Sequence, residues 1–121
     1  MSSQEQRGQP QMAEPDVEQI RALNDRARQS FTCCRVAVTA GIAALGHLAV
    51  YEIFDRIKAY DDFIPANDPY GEHDFGSFHY GEHQVFWKFD YYDLDYTMHS
   101  PDPADETVTA RVLTVMLAEE Y

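Results

Sequence analysis

Val17, Ile20, Leu23, Ala27 and Phe31 recur at spacings of three and four, the period of one helix face. Arg21, Asn24, Asp25 and Arg28 fall on the other side. The pattern predicts a helix starting near Pro15 and Asp16, with Asp16 as its cap. The run Arg35-Val36-Ala37-Val38-Thr39 is short and partly β-branched. It predicts a strand, bounded by Gly41. Residues 40–45 read as either a short turn of helix or a loop. After Gly46 a broad apolar stripe of Leu48, Tyr51, Ile53, Phe54, Ile57 and Tyr60 predicts a second helix. Glu52, Asp55, Arg56 and Lys58 take its solvent positions. Pro65 and Pro69, with Asn67 and Asp68 between them, end helical structure.

The period then changes to two. Val85, Trp87, Phe89 and Tyr91 alternate with Gln84, Phe86, Lys88 and Asp90. This predicts a hairpin of residues 74–80 and 84–92 around Gly81-Glu82-His83, with Trp87 on the core face. Residues 96–100 could add a third strand before Pro101-Asp102-Pro103 breaks the chain. A last helix is predicted over 104–120. Val108, Val112, Val115, Met116 and Leu117 form its apolar side, and Asp105 and Glu106 sit in its first turn. Thr107, Thr109 and Thr114 weaken its intrinsic propensity, so packing has to hold it. The order of elements gives an α+β class, three helices packed on a small mostly antiparallel sheet. Residues 1–14 are read as a disordered tail and residues 15–121 as a single α+β domain.

Charge changes this picture more than composition does. At 121 residues with 45% hydrophobic content, the chain suits one modest core. Its formal charge is −12. Residues 1–60 hold seven acids and seven bases, a net of zero. Residues 61–106 hold twelve acids and one base, Lys88, a net of −11. Residues 107–121 hold two acids and Arg111, a net of −1. A field of this sign repels nucleic acid and membrane surfaces and attracts basic partners. The first residues form no apolar leader and no run reaches spanning length, so a cytoplasmic site is expected. Cys33 and Cys34 are adjacent, which strains any bond between them and suits a reducing compartment.

Several blocks stand in a fixed order. They are Ile20-Arg21-Ala22-Leu23-Asn24-Asp25, Thr39-Ala40-Gly41, Asp61-Asp62-Phe63, Asn67-Asp68-Pro69 and Gly71-Glu72-His73-Asp74-Phe75-Gly76. Phe86-Trp87-Lys88, Asp90-Tyr91-Tyr92-Asp93, Ser100-Pro101-Asp102-Pro103 and Arg111-Val112-Leu113-Thr114 follow. Over residues 20–121 the chain resembles a family of short bacterial proteins known only as a domain of unknown function. Its members are found on plasmids and other mobile elements, near genes suspected of countering host defence. The resemblance implies an anti-defence role and brings no activity, catalytic residue or cofactor with it. Cys33-Cys34, His79 and His83 depart from the family pattern.

Three constellations could carry chemistry. Glu72, His73, Asp74, His79, Glu82 and His83 are suitable ligand types for zinc. Neighbours in an extended segment point to opposite faces, however, and no HExxH or paired CxxC is present. A nucleophile is the second: Ser77 and Ser100 lack an elbow motif, and a Cys33-His73-Asp74 site has no positional support. The third is an acidic, tyrosine-rich surface of Asp61, Asp62, Asp68, Tyr70, Glu72, Asp74, Asp90, Tyr92, Asp93, Asp95 and Tyr96. A dense carboxylate face can occupy a Lys/Arg channel built for phosphate. The expected partner is therefore a basic nucleic-acid-binding protein or nuclease complex of a bacterial defence system. An anti-CRISPR or anti-restriction protein of this kind would act without cofactor or metal and without touching nucleic acid or membrane. The alternative from another class is a metal-assisted hydrolase using the Glu72–His83 cluster. The sequence leaves homodimerisation open.

Overall fold

The computed structural model describes residues 13–121. Helix α1 spans Ala13–Ser30, strand β1 Arg35–Val38, helix α2 Ala40–Ala43 and helix α3 His47–Lys58. Strands β2 (Phe75–Tyr80), β3 (His83–Tyr92) and β4 (Ala110–Leu117) follow, and a 3-10 turn covers Ala118–Glu120. The four strands lie in the order β1-β4-β3-β2. β1 runs parallel to β4, and the other two pairings are antiparallel. This is an α+β fold of three helices and a mostly antiparallel mixed sheet. Among the described residues no helix is long and apolar enough to cross a membrane.

Three expectations need correction. The predicted last helix is absent: its middle is β4, an interior strand of the sheet. Arg111, Leu113, Val115 and Leu117 alternate inward with period two, while β-branched Val112 and Thr114 take the other face. The third helix of the fold is instead the short α2. The strand expected at residues 96–100 reduces to one bridge, Tyr92 with His99. Asp16 lies inside α1 rather than capping it, and most of the expected tail lies outside the described residues.

The helices cover one face of the sheet. Ala27, Ile42, Ile53 and Ile57 meet Val85, Trp87, Phe89, Leu113, Val115 and Leu117 there. Trp87 is fully buried, on the face that alternation assigned to it. Gly76, paired opposite, makes room for it, because a side chain there would collide with the indole. Gly81 (φ +60) opens the two-residue hairpin turn between the paired Tyr80 and His83. Two buried arginines tie the layers together. Arg28 donates to the carbonyls of Ile57 and Tyr60, both at 2.9 Å, so α1 holds the end of α3. Arg111 of β4 donates to the Asn24 side chain at 2.8 Å.

Candidate functional site

The chain leaves α3 into a loop, residues 59–74, whose shape decides where the acids go. The amides of Asn67 and Asp68 donate to the Ile64 carbonyl at 3.0 and 2.8 Å. The Asp68 carboxylate accepts the His73 amide at 3.1 Å, which makes it a loop brace rather than a displayed charge. His73 takes a left-handed backbone, φ +54. Its ring stacks on Phe63 with centroids 3.7 Å apart. Nδ1 lies 2.8 Å from the Asp25 carboxylate and Nε2 3.6 Å from that of Asp68. Next to it, Glu72 accepts the Tyr91 hydroxyl at 2.9 Å. Arg21 and Asn24 of α1 hold the backbone carbonyls of Gly71 and Glu72. The loop is thereby fastened to α1 and delivers Asp74 to the start of β2.

Asp74 is the centre of the site. It is half-buried, and it lines two adjoining clefts together with Phe89 and Asp90. The first, about 300 Å³, continues along Tyr91, Tyr92 and His99. The second, about 310 Å³, continues along Asn67, Tyr70, Phe75, Lys88 and Tyr121. Burial pushes the Asp74 carboxyl above its ordinary range, and the charges of Glu72, Asp68 and Asp90 push the same way. Lys88 is engaged by Asp90, 2.7 Å away, and that hydrogen bond raises the ammonium's pKa. Among the described residues no Lys or Arg pairs with Asp74.

Beyond Tyr92 the acidic surface continues into a turn. Asp93 accepts the amide of Thr97 at 2.9 Å and its hydroxyl at 3.0 Å. Those bonds hold its carboxyl below the usual range, so it stays charged while bracing the turn. Tyr92 and Tyr96 lie 6.1 Å apart, and the Arg35 guanidinium sits 4.4 Å over the Tyr96 ring. Asp95 is exposed at the tip.

The eleven residues of the expected surface therefore divide. Asp68, Tyr70, Glu72, Asp74, Asp90 and Tyr92 gather around the two clefts or brace their walls, and Asp93, Asp95 and Tyr96 adjoin them through Tyr92. Asp61 and Asp62 do not join: they line a separate cleft of about 330 Å³ with Arg56, Tyr60 and Phe78. Lys88, His99 and Tyr121 belong to the walls and were not foreseen as such. His99 arrives through its bridge to Tyr92, and Tyr121 through β4 and the 3-10 turn after it, which set its ring beside Phe75 and Phe86.

The histidine–carboxylate cluster is not assembled. Asp25 and Asp68 flank the His73 ring, and Glu72 is bonded to Tyr91. His79 and His83 sit at the far end of the hairpin, opposite Gln84 and Tyr80, on different faces of the sheet. Among the described residues no three His, Cys, Asp or Glu side chains are placed to hold a metal. The thiol route fares no better: His73 faces the carboxylates of Asp25 and Asp68 rather than Cys33, and burial pushes the neighbouring Cys34 up to about 11.

Residues 38–120 match the model of a family described as a protein of unknown function (DUF3768). No curated protein and no solved structure matches the chain.

Proposed function

The chain belongs to DUF3768, whose model covers well over half of it, and on that premise we propose that it is an acidic inhibitor of a bacterial nucleic-acid-targeting defence complex. It acts as a nucleic-acid mimic, in the bacterial cytoplasm, by occupying a basic channel. Uncompensated charge carries this reading. Of the twelve acids in residues 61–106, only Asp90 and Glu106 have a Lys or Arg partner among the described residues. Asp68 is taken up as a loop brace, but Asp61, Asp62, Glu82, Asp95 and Asp102 are exposed and keep their charge available to a partner, and Asp74 is crowded by like charges that a partner's cation would relieve. Tyr70, with 76% of its surface exposed, and Tyr96 add flat contact area beside the acids. The resemblance to proteins of mobile elements directs the reading toward a defence nuclease, whose Lys/Arg channel is built for evenly spaced negative charge.

The test begins with capture of the target from bacteria carrying defence systems, followed by inhibition assays on the purified complex. Asp74→Asn, Asp90→Asn and Asp95→Asn combined should weaken binding at least about tenfold, with slower association. Higher salt should weaken the wild type as well. Asp74→Asn alone is a built-in control for folding. A carboxyl whose pKa is raised in the folded state costs stability above that pKa, and the cost disappears as pH falls through it. The single variant should therefore melt at or above the wild type at neutral pH. Undiminished, salt-independent inhibition by the triple variant would overturn the reading.

A further inference from the structure

The two edges of the sheet are treated differently. On the β2 edge two of the outward groups are engaged by α3 and the residues after it. Arg56 donates to the His79 carbonyl at 2.7 Å, and the Ser77 amide reaches the Tyr60 hydroxyl at 3.4 Å. On the β1 edge they are not. The Thr39 amide donates to the Val115 carbonyl of β4 at 3.0 Å. Alternate residues of a parallel ladder face the same neighbour, so Arg35 and Ala37 also face β4, and Val36 and Val38 turn their amides and carbonyls outward. Among the described residues nothing bonds to those groups. Natural proteins blunt such an edge with a very short strand, charge, proline or a cover. β1 is short and begins with the exposed Arg35, but its other end is apolar: Val38 is 38% exposed beside an apolar cleft of about 320 Å³, lined by Val50, Tyr51 and Phe54 of α3. Leu48 and Tyr51, on the same helix, are 71% and 64% exposed.

We infer that β1 is the seam of a homodimer, pairing antiparallel with its own copy about a two-fold axis at Ala37. That register places Val36 opposite the copy's Val38, and the reverse. Each of the two pairs exchanges two hydrogen bonds, and together they use the outward groups of both valines. Val36 and Val38 pair with the core residues Leu113 and Val115, so their side chains lie on the helix-covered face. The two apolar clefts then meet across the axis, as a two-fold interface requires of one patch facing itself. This self-matching of edge and cleft points to a second copy as the occupant, and charge does not oppose it. Two molecules of net charge −12 repel wherever their acidic segments meet, but β1 and α3 belong to residues 1–60, whose net is zero. The joined sheet would have eight strands, ending on both sides at the protected β2 edge. This inference is independent of the inhibitor reading, because it uses none of the acidic residues.

Sedimentation velocity on the full chain, from low micromolar to near-millimolar concentration, should show a monomer–dimer equilibrium. Val38→Lys places charge on the edge, and Tyr51→Glu places it in the cleft. Each should raise the dimer dissociation constant at least about tenfold, with an unchanged circular dichroism spectrum. In a Cys33→Ser, Cys34→Ser background, Ala37→Cys should form a disulfide-linked dimer under mild oxidation, because opposed residues of a non-hydrogen-bonded pair bring their side chains close. A wild type that stays monomeric throughout would overturn the inference, including one that binds an added extended peptide instead. A dimer insensitive to both charged variants, or one that does not cross-link at position 37, would overturn it by placing the seam elsewhere.

Discussion

His73 shows how one side chain can fix a loop. Its backbone sits in the left-handed region, which a residue other than glycine adopts at a cost. The ring repays this by stacking on Phe63 and by donating from Nδ1 to Asp25 of α1. Replacing it with glutamine removes the stack and lengthens the reach to Asp25. His73→Gln should therefore lower stability by about 0.5–2 kcal/mol, the scale of one or two hydrogen bonds. Urea denaturation measures the loss, and partner binding below the transition should survive it. A variant that melts like the wild type but no longer binds would make His73 a contact residue. The sequence showed that no metal-ligand spacing surrounds the histidine. Its partner was not legible, because Asp25 is 48 positions away and only the fold brings it near. Trp87 was legible for the opposite reason: strand alternation is local, and it assigned the buried face without any knowledge of what packs there.

At the scale of elements, β4 marks where local pattern fails. Val108, Val112, Val115 and Met116 satisfy a helical spacing, and β4 carries apolar residues on both faces, with Val112 and Met116 opposite Leu113 and Val115, so it lacks the clean polar alternation that would mark a strand. The threonines and valines in the run carried the correct signal, and their low helix propensity was a reason to doubt the helix. Just beyond β4, Glu120 forms a clasp onto the start of α2. Its carboxylate accepts the Thr39 hydroxyl, the Gly41 amide at 2.9 Å and the Leu117 amide at 2.8 Å. The Thr39 bond, then the Leu117 bond, hold its pKa below the ordinary 4.5. A depressed carboxyl stabilises the fold above its ordinary pKa and ceases to do so as pH falls through the folded value. Hydrogen exchange at the Gly41 amide should thus be protected at neutral pH and lose protection in acid below about 4.5. In Glu120→Ala that protection should be missing at every pH. Equal exchange in the two proteins would mean that the clasp is open in solution.

The whole molecule is built as a balanced half and an acidic half, sharing one sheet. That division was legible, since it needs only a count along the chain. The way the loops sort the acids was not: Asp61 and Asp62 go to one cleft and Asp74 to another because the 59–74 loop is fastened by α1. The same sheet joins partners of very different separation. β2 and β3 close across two residues, Gly81 and Glu82, whereas β1 meets β4 with Arg35 beside Val112, across more than half of the chain. Closing the longer span costs more chain entropy before any contact offsets it. The hairpin should therefore form early in refolding and wait, with the inner side of β3 unpaired, for the distant strands to arrive. Pulse-labelled exchange should find the β2–β3 amides protected before the Thr39 amide, whose acceptor is Val115; simultaneous protection would refute that order. During this interval Val85, Trp87 and Phe89 lack part of their cover, so the risk of aggregation belongs to the folding chain, and crowded, fast synthesis would expose it more than heating the finished protein would.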